Sequence, residues 1–103
     1  MMNSIILVGK LNDIRKENNK FIITIASTRH TKDESGDYPV DLIDFETFGG
    51  VGNTAMEYCK KGDTIGIRGK IQTEMIEGVK VTKLIAERIS FLSTNPDLKK
   101  EDE

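Results

Sequence analysis

The chain has 103 residues, enough for one small domain, and 37% of them are hydrophobic, enough for a single core. A formal net charge of −2 excludes a molecule that is cationic all over, so a polyanion partner would need a local basic patch. One cysteine, Cys59, excludes an intrachain disulfide and argues against a cysteine-based metal site, which points to a reducing, cytoplasmic setting.

No apolar run reaches the ~20 residues of a membrane span, so no membrane association is expected. The opening "SIILVG" is too short for a signal peptide and leads straight into Lys10. It reads as a first strand, residues 4–11. The polar stretch "NDIRKENNK" follows, and its Asn18-Asn19 pair suits a turn. "FIITIA", 21–26, is a second strand, forming a hairpin with the first. Residues 27–40 hold twelve polar, charged or turn-forming residues, "TRHTKDESGDYP", punctuated by Gly36 and Pro39, and read as a long mobile loop.

"DLIDFETF", 41–48, is a third strand with two unlike sides. Ile43, Phe45 and Thr47 make an ordinary core face. Leu42, Asp44, Glu46 and Phe48 point the other way, a combination awkward both to solvate and to bury. Residues 53–61 form the one convincing helix, with Asn53 as N-cap. Ala55 and Cys59, four apart, share a stripe with Thr54 and Tyr58 beside it. Lys60 and Lys61 stand at the negative end of the dipole, and Gly62 is the stop.

Residues 63–73 form a fourth strand. Ile65, Ile67 and Ile71 alternate inward; Arg68, Lys70 and Gln72 alternate outward. Gly69 falls on the apolar side, where a missing side chain signals a bend or a close backbone approach. "IEGV", 76–79, is a tight turn, and 79–85 is the fifth strand, continuing with a kink toward Phe91. Residues 1–93 make the domain, and 94–103 read as a disordered polar tail. Three strands, one helix and two strands, with glycines where a barrel must bend, describe an all-β fold with one helix: a five-stranded OB-fold Greek-key barrel, the helix between strands 3 and 4. A five-stranded sandwich is the alternative, and it leaves the helix without a place.

Three segments, in order, resemble the bacterial and phage single-stranded DNA-binding protein family: "NSIILVGKL", "FGGVGNTAMEYCKKGDTIGIRGKIQT" and "VKVTKLIAERISFLS". The resemblance spans about Asn3 to Ser93. It implies sequence-independent binding of single-stranded DNA in replication, recombination or repair. Aromatic rings stack on bases, and lysines and arginines neutralise phosphates. It implies no catalysis and no cofactor. It also implies a homo-oligomer, a tetramer or a dimer, assembled partly through the first strand.

The departures from the family bear on affinity. Its aromatic positions correspond here to Thr31, to Leu42 and to Met75 or Ile76; only Phe48 stays aromatic. A stacked base is worth about 1–3 kcal/mol, so the groove is a weakened or specialised version. Asp44 and Glu46 lie where the family more often has neutral or basic residues. They either repel phosphate or pair with Arg68 and Lys70 across neighbouring strands.

The expected nucleic-acid-binding residues are Phe48, Arg29, Lys32, Lys10, Lys70, Arg68, Lys80 and Leu42. For Phe48 the other reading is a barrel-end plug, and for Arg29 and Lys32 a solvated loop charge. Arg29 and Lys70 match basic family positions. His30 has no second ligand, so no metal is expected. Cys59 reads as core, Tyr58 as core or barrel cap, and Gly49, Gly50 and Gly52 lack the lysine and Ser/Thr of a phosphate loop. Full-length family members end in a long linker and an acidic tip closed by an apolar residue, which recruits replication proteins. "PDLKKEDE" is acidic without that anchor, which fits either a truncated chain or, as the favoured reading, a short accessory version like those of phage, plasmids or integrated elements that does not recruit partners that way. The competing reading is a primosome-like OB-fold protein-interaction module with weak DNA binding. An enzyme would need a reactive constellation, and none can be assembled from this sequence.

Overall fold

The computed structural model describes residues 1–93; the tail expected to be disordered lies outside the described residues. Five strands and one helix follow in the order β1 (Ile5–Glu17), β2 (Lys20–Thr28), β3 (Val40–Thr47), α1 (Gly49–Tyr58), β4 (Thr64–Ile76) and β5 (Val79–Ser93). The strands close into a barrel in the order β1-β2-β3-β5-β4. Closure rules out the open sandwich.

β1 is longer than the sequence suggests. It runs past Leu11 because Asn12 is an extra residue in the β1–β2 ladder: Leu11 faces Ile25 and Asp13 faces Thr24. The bulge bends the strand, so its first half pairs with β4 (Ile5↔Gly69 to Lys10↔Thr64) and its second half with β2. The hairpin closes at Asn18, in the left-handed region at φ 55°. The barrel is sealed by one parallel bridge, Glu46↔Ile85. There the buried Thr47 hydroxyl donates to the Ala86 carbonyl at 3.0 Å, so a polar side chain on the core face has a partner. The core is Leu11, Ile23, Ile25, Phe45, Ala55, Ile65, Ile67 and Ala86.

The helix differs from expectation. It starts at Gly49, not Asn53. Phe48 holds the N-cap position with extended backbone (φ −133°, ψ 158°), and no side chain caps the first turn. Asn53 is an exposed residue inside the helix. The three glycines of "GGVG" argue against helix by propensity, but packing overrides it. A Cβ on Gly52 would sit 2.0 Å from the Phe21 ring, so the helix lies directly on that ring only because Gly52 has no side chain. The helix ends at Tyr58, which leaves Lys60 and Lys61 beyond its last turn. Gly62 (φ 95°) turns the chain into β4, its amide donating to Leu11 O at 2.8 Å. Tyr58 is 65% exposed, not a core residue or cap.

β4 and β5 pair along their full length, from Thr64↔Ser93 to Ile76↔Val79. Glu87 is the extra residue between Arg68↔Arg88 and Gly69↔Ala86, which is the kink expected in β5. A Cβ at Gly69 would come within 2.1 Å of the Ile85 carbonyl oxygen, so the backbones cross as closely as anticipated. Beyond this point the β4–β5 hairpin leaves the barrel as an arm. Ile71 is on that arm and is 42% exposed, so it does not join Ile65 and Ile67 in the core.

Candidate nucleic-acid interface

The barrel wall formed by β1, β2 and β3 has its outer face ordered by strand register. Lys10 faces Ala26, which faces Leu42. Asp13, Thr24 and Asp44 make the next row, and Arg15, Ile22 and Glu46 the next. Leu42 is 60% exposed at one end. Phe48, 53% exposed, lies at the other, two residues beyond Glu46 on the same side of the chain. Between the wall and the β4–β5 arm runs an open cleft of about 530 Å³, lined among others by Arg15, Ile22, Leu42, Glu46, Val81 and Lys83. The odd side of β3 looks out on this cleft.

Asp44 and Glu46 are not paired with Arg68 and Lys70. That pairing is excluded by strand order, since β4 is not a neighbour of β3. Glu46 lies instead between Lys20 on β2 (Nζ–Oε1 3.0 Å) and Lys83 on β5 (Nζ–Oε2 3.4 Å). Lys83 reaches on to Glu74 at 2.6 Å. The shared hydrogen bond holds the Glu74 carboxyl below the usual range and the Lys83 ammonium above its own. Asp44 accepts a hydrogen bond from the Thr24 hydroxyl. Arg15 pairs with Glu17 at 2.7 Å and Asp13 at 3.4 Å, and the Glu17 bond raises its pKa further. The cleft thus holds a lattice of opposite charges in which each β3 carboxylate already has a partner.

Residues 2–92 match the single-strand binding protein family. The chain belongs to that family. It is 29% identical to single-stranded DNA-binding protein B of Bacillus subtilis (strain 168), covering 99% of this chain and 100% of that one. In fold it is similar to a small single-stranded DNA binding protein from Mycoplasma pneumoniae (TM-score 0.67, 21% identity, 93% of this chain and 96% of that one). It is equally similar to the chain of a Plasmodium falciparum SSB complex with ssDNA (TM-score 0.68, 17% identity, 90% and 96%).

Of the residues singled out from the sequence, the barrel places Lys10, Leu42 and Phe48 on one wall. Lys80 is on the arm, opposite Met75 near its tip. Arg68 is elsewhere: its cross-strand neighbours are Ile6 and Arg88, on the outer side of β1, β4 and β5. Lys70 reaches Glu87 on β5 at 3.9 Å. Arg29 is not available as a free clamp, because its guanidinium binds both oxygens of Asp41 at 2.9 Å. That contact raises the arginine and lowers the Asp41 carboxyl.

The long loop is tied down rather than loose. The Arg29 amide donates to Pro39 O, and the Asp33 carboxylate accepts from the amides of Ser35 and Asp37. Lys32 stands over the Tyr38 ring, 5.6 Å from its centre.

Sequence reasoning missed Arg15, Lys20, Lys83 and Tyr38. Nothing in the sequence marks the first three, which depend on register and strand order. Tyr38 did carry a signal, an aromatic in an otherwise polar loop. Among the described residues, no group of three or more His, Cys, Asp or Glu could hold a metal ion, and no helix is long and apolar enough to cross a membrane.

Proposed function

We propose that this protein binds single-stranded DNA without sequence preference, in replication, recombination or repair, by laying the strand along the β1–β2–β3 wall. Residues 1–93 are the binding domain. The observation that carries the reading is the position of Phe48. Its ring is half exposed two residues beyond Glu46, whose carboxylate binds Lys20 and Lys83 beside a cleft that Arg15 also lines; a stacking surface and cations near one another are the combination that single strands require. Leu42 supplies an apolar platform and Lys10 a phosphate contact at the far end of the wall, with Lys80 on the arm and Lys32 on the loop. Arg29 acts through its bond to Asp41, and Arg68 and Lys70 lie off the path. The protein is a binder, not an enzyme, and works in the cytoplasm.

Assembly as a homo-oligomer, a dimer or a tetramer, is part of this reading. β2 takes up pairing with β1 only from Lys10, so among the described residues no strand pairs with the second edge of β1 at 5–8. Ile6, Val8 and Leu92 are exposed nearby. An open edge beside apolar side chains is the setting in which a second copy adds its own strand. Replication proteins are further candidate partners.

The engaged state of the cleft cations favours a second reading, a primosome-like interaction module with weak DNA binding. Titration of labelled oligo-dT at low and high salt separates the two. Saturable binding at micromolar concentration or tighter, falling steeply with salt, is the expected result. No binding at low salt, with a replication protein co-purifying, would establish the module instead.

A further inference from the structure

We propose that Tyr38 is a second base-stacking platform, carried on the loop between β2 and β3 and backed by Lys32; this extends the single-strand-binding reading above. Six aromatic residues occur in the chain. Phe21 and Phe45 are buried in the barrel. Tyr58 and Phe91 line a separate cleft between α1 and β5. That leaves Phe48 and Tyr38, 53% and 50% exposed, at opposite ends of β3.

Tyr38 precedes Val40 and Leu42 by two and four residues. It therefore adjoins the start of the strand whose exposed side bears Val40, Leu42 and Asp44. Val40 and Leu42 are themselves exposed. The exposed apolar row of β3 thus ends two residues from an exposed aromatic ring.

Two features suit the ring to a base and not only to solvent. The loop is already built: its base is fastened by the two Arg29–Asp41 bonds and by Arg29 N–H to Pro39 O, and its tip by Asp33, whose own amide donates to Asp37 O at 2.8 Å. A loop ordered in advance loses less entropy when a strand docks. The second feature is Lys32, 5.6 Å from the ring centre. No ion pair engages its ammonium among the described residues, whereas Arg15, Lys20 and Lys83 are all held by carboxylates. A base entering against the ring meets an aromatic face and a cation placed for the adjoining phosphate. The other role available to the pair is loop support alone, through the cation–π contact.

The chain has no tryptophan and two tyrosines, so a Tyr58→Phe protein reports Tyr38 alone by intrinsic fluorescence. In that background, saturating oligo-dT quenches the emission. In the wild-type background, Tyr38→Leu raises Kd for oligo-dT about fivefold or more, Tyr38→Phe leaves it near wild type, and neither shifts the melting temperature. Unchanged Tyr38 emission at saturation overturns the proposal, and so does a Tyr38→Leu protein that binds as wild type. If Phe48→Ala weakens binding while Tyr38→Leu does not, only this extension fails. If wild-type protein ignores oligo-dT, the parent reading fails with it.

Discussion

The Lys83 ammonium and the Glu46 carboxylate meet across the seam that closes the barrel, Nζ to Oε2 at 3.4 Å. Lys83 also holds Glu74, while Glu46 also holds Lys20. A strand entering this cleft finds cations that are already committed to carboxylates. If DNA lies in this cleft as proposed, binding would exchange one set of partners for another, and the charge lattice would tune affinity.

Glu46→Gln removes the acid at the centre of the lattice, frees Lys20 for phosphate and leaves Lys83 held by Glu74 alone. It should tighten oligo-dT binding by roughly 1 kcal/mol, about fivefold in Kd. Lys83→Met does the reverse and leaves both Glu46 and Glu74 without that partner beside the strand. It should weaken binding more than Lys80→Met, which removes a cation that no carboxylate pairs with among the described residues. Fluorescence anisotropy at fixed salt measures all three.

Gly69→Ala tests the geometry of the barrel. The new Cβ would lie 2.1 Å from a carbonyl oxygen of β5 that cannot move without breaking the ladder. A loss of about 3 kcal/mol is expected, read as a drop in melting temperature of more than roughly 10 °C. Gly52→Ala meets the buried Phe21 ring at Cδ2, Cγ and Cε2, so a comparable cost of about 2–3 kcal/mol is expected.

The Arg29–Asp41 pair sets the acid response of the loop. Asp41 titrates below its ordinary value in the folded protein, so an opened loop takes up the proton at higher pH than the closed one. The pair is at full strength above the ordinary aspartate range and is lost as pH falls through and below it. Tyr38 emission in the Tyr58→Phe protein should be flat from pH 8 to pH 6 and change only in acid; Asp41→Asn should remove the transition.

Cys59 is partly buried beside the helix end, and burial, with Asp63 as a lesser contribution, raises its thiol above the ordinary value. Only the thiolate is nucleophilic. Iodoacetamide should therefore modify Cys59 more slowly at pH 8 than it modifies a free cysteine peptide, with the rate rising into more alkaline solution.

Much of this architecture is visible in the alternation of side chains. Ile43, Phe45 and Thr47 read as the inner side of β3, and they do face the core. Gly69 reads as a close approach, and the β5 backbone is there. What escapes is whatever depends on an insertion or on neighbours distant in sequence. Leu11 and Ile14 both face inward although they are three apart, because Asn12 is the extra residue; a period of two stops at Leu11 for that reason alone. The helix start was hidden by glycines whose value lies in the approach to Phe21. The partners of Glu46 were hidden because only the closed strand order brings Lys20 and Lys83 beside it.

The half-exposed ring of Phe48 carries the functional account, and one substitution addresses it. Phe48→Ala truncates a half-exposed side chain outside the core cluster and should leave the melting temperature close to that of the wild type. Its Kd for oligo-dT should rise by about 1–3 kcal/mol, or roughly 5- to 150-fold. A folded Phe48→Ala protein with the wild-type Kd would contradict the stacking role and, with it, the assignment of this wall as the binding surface.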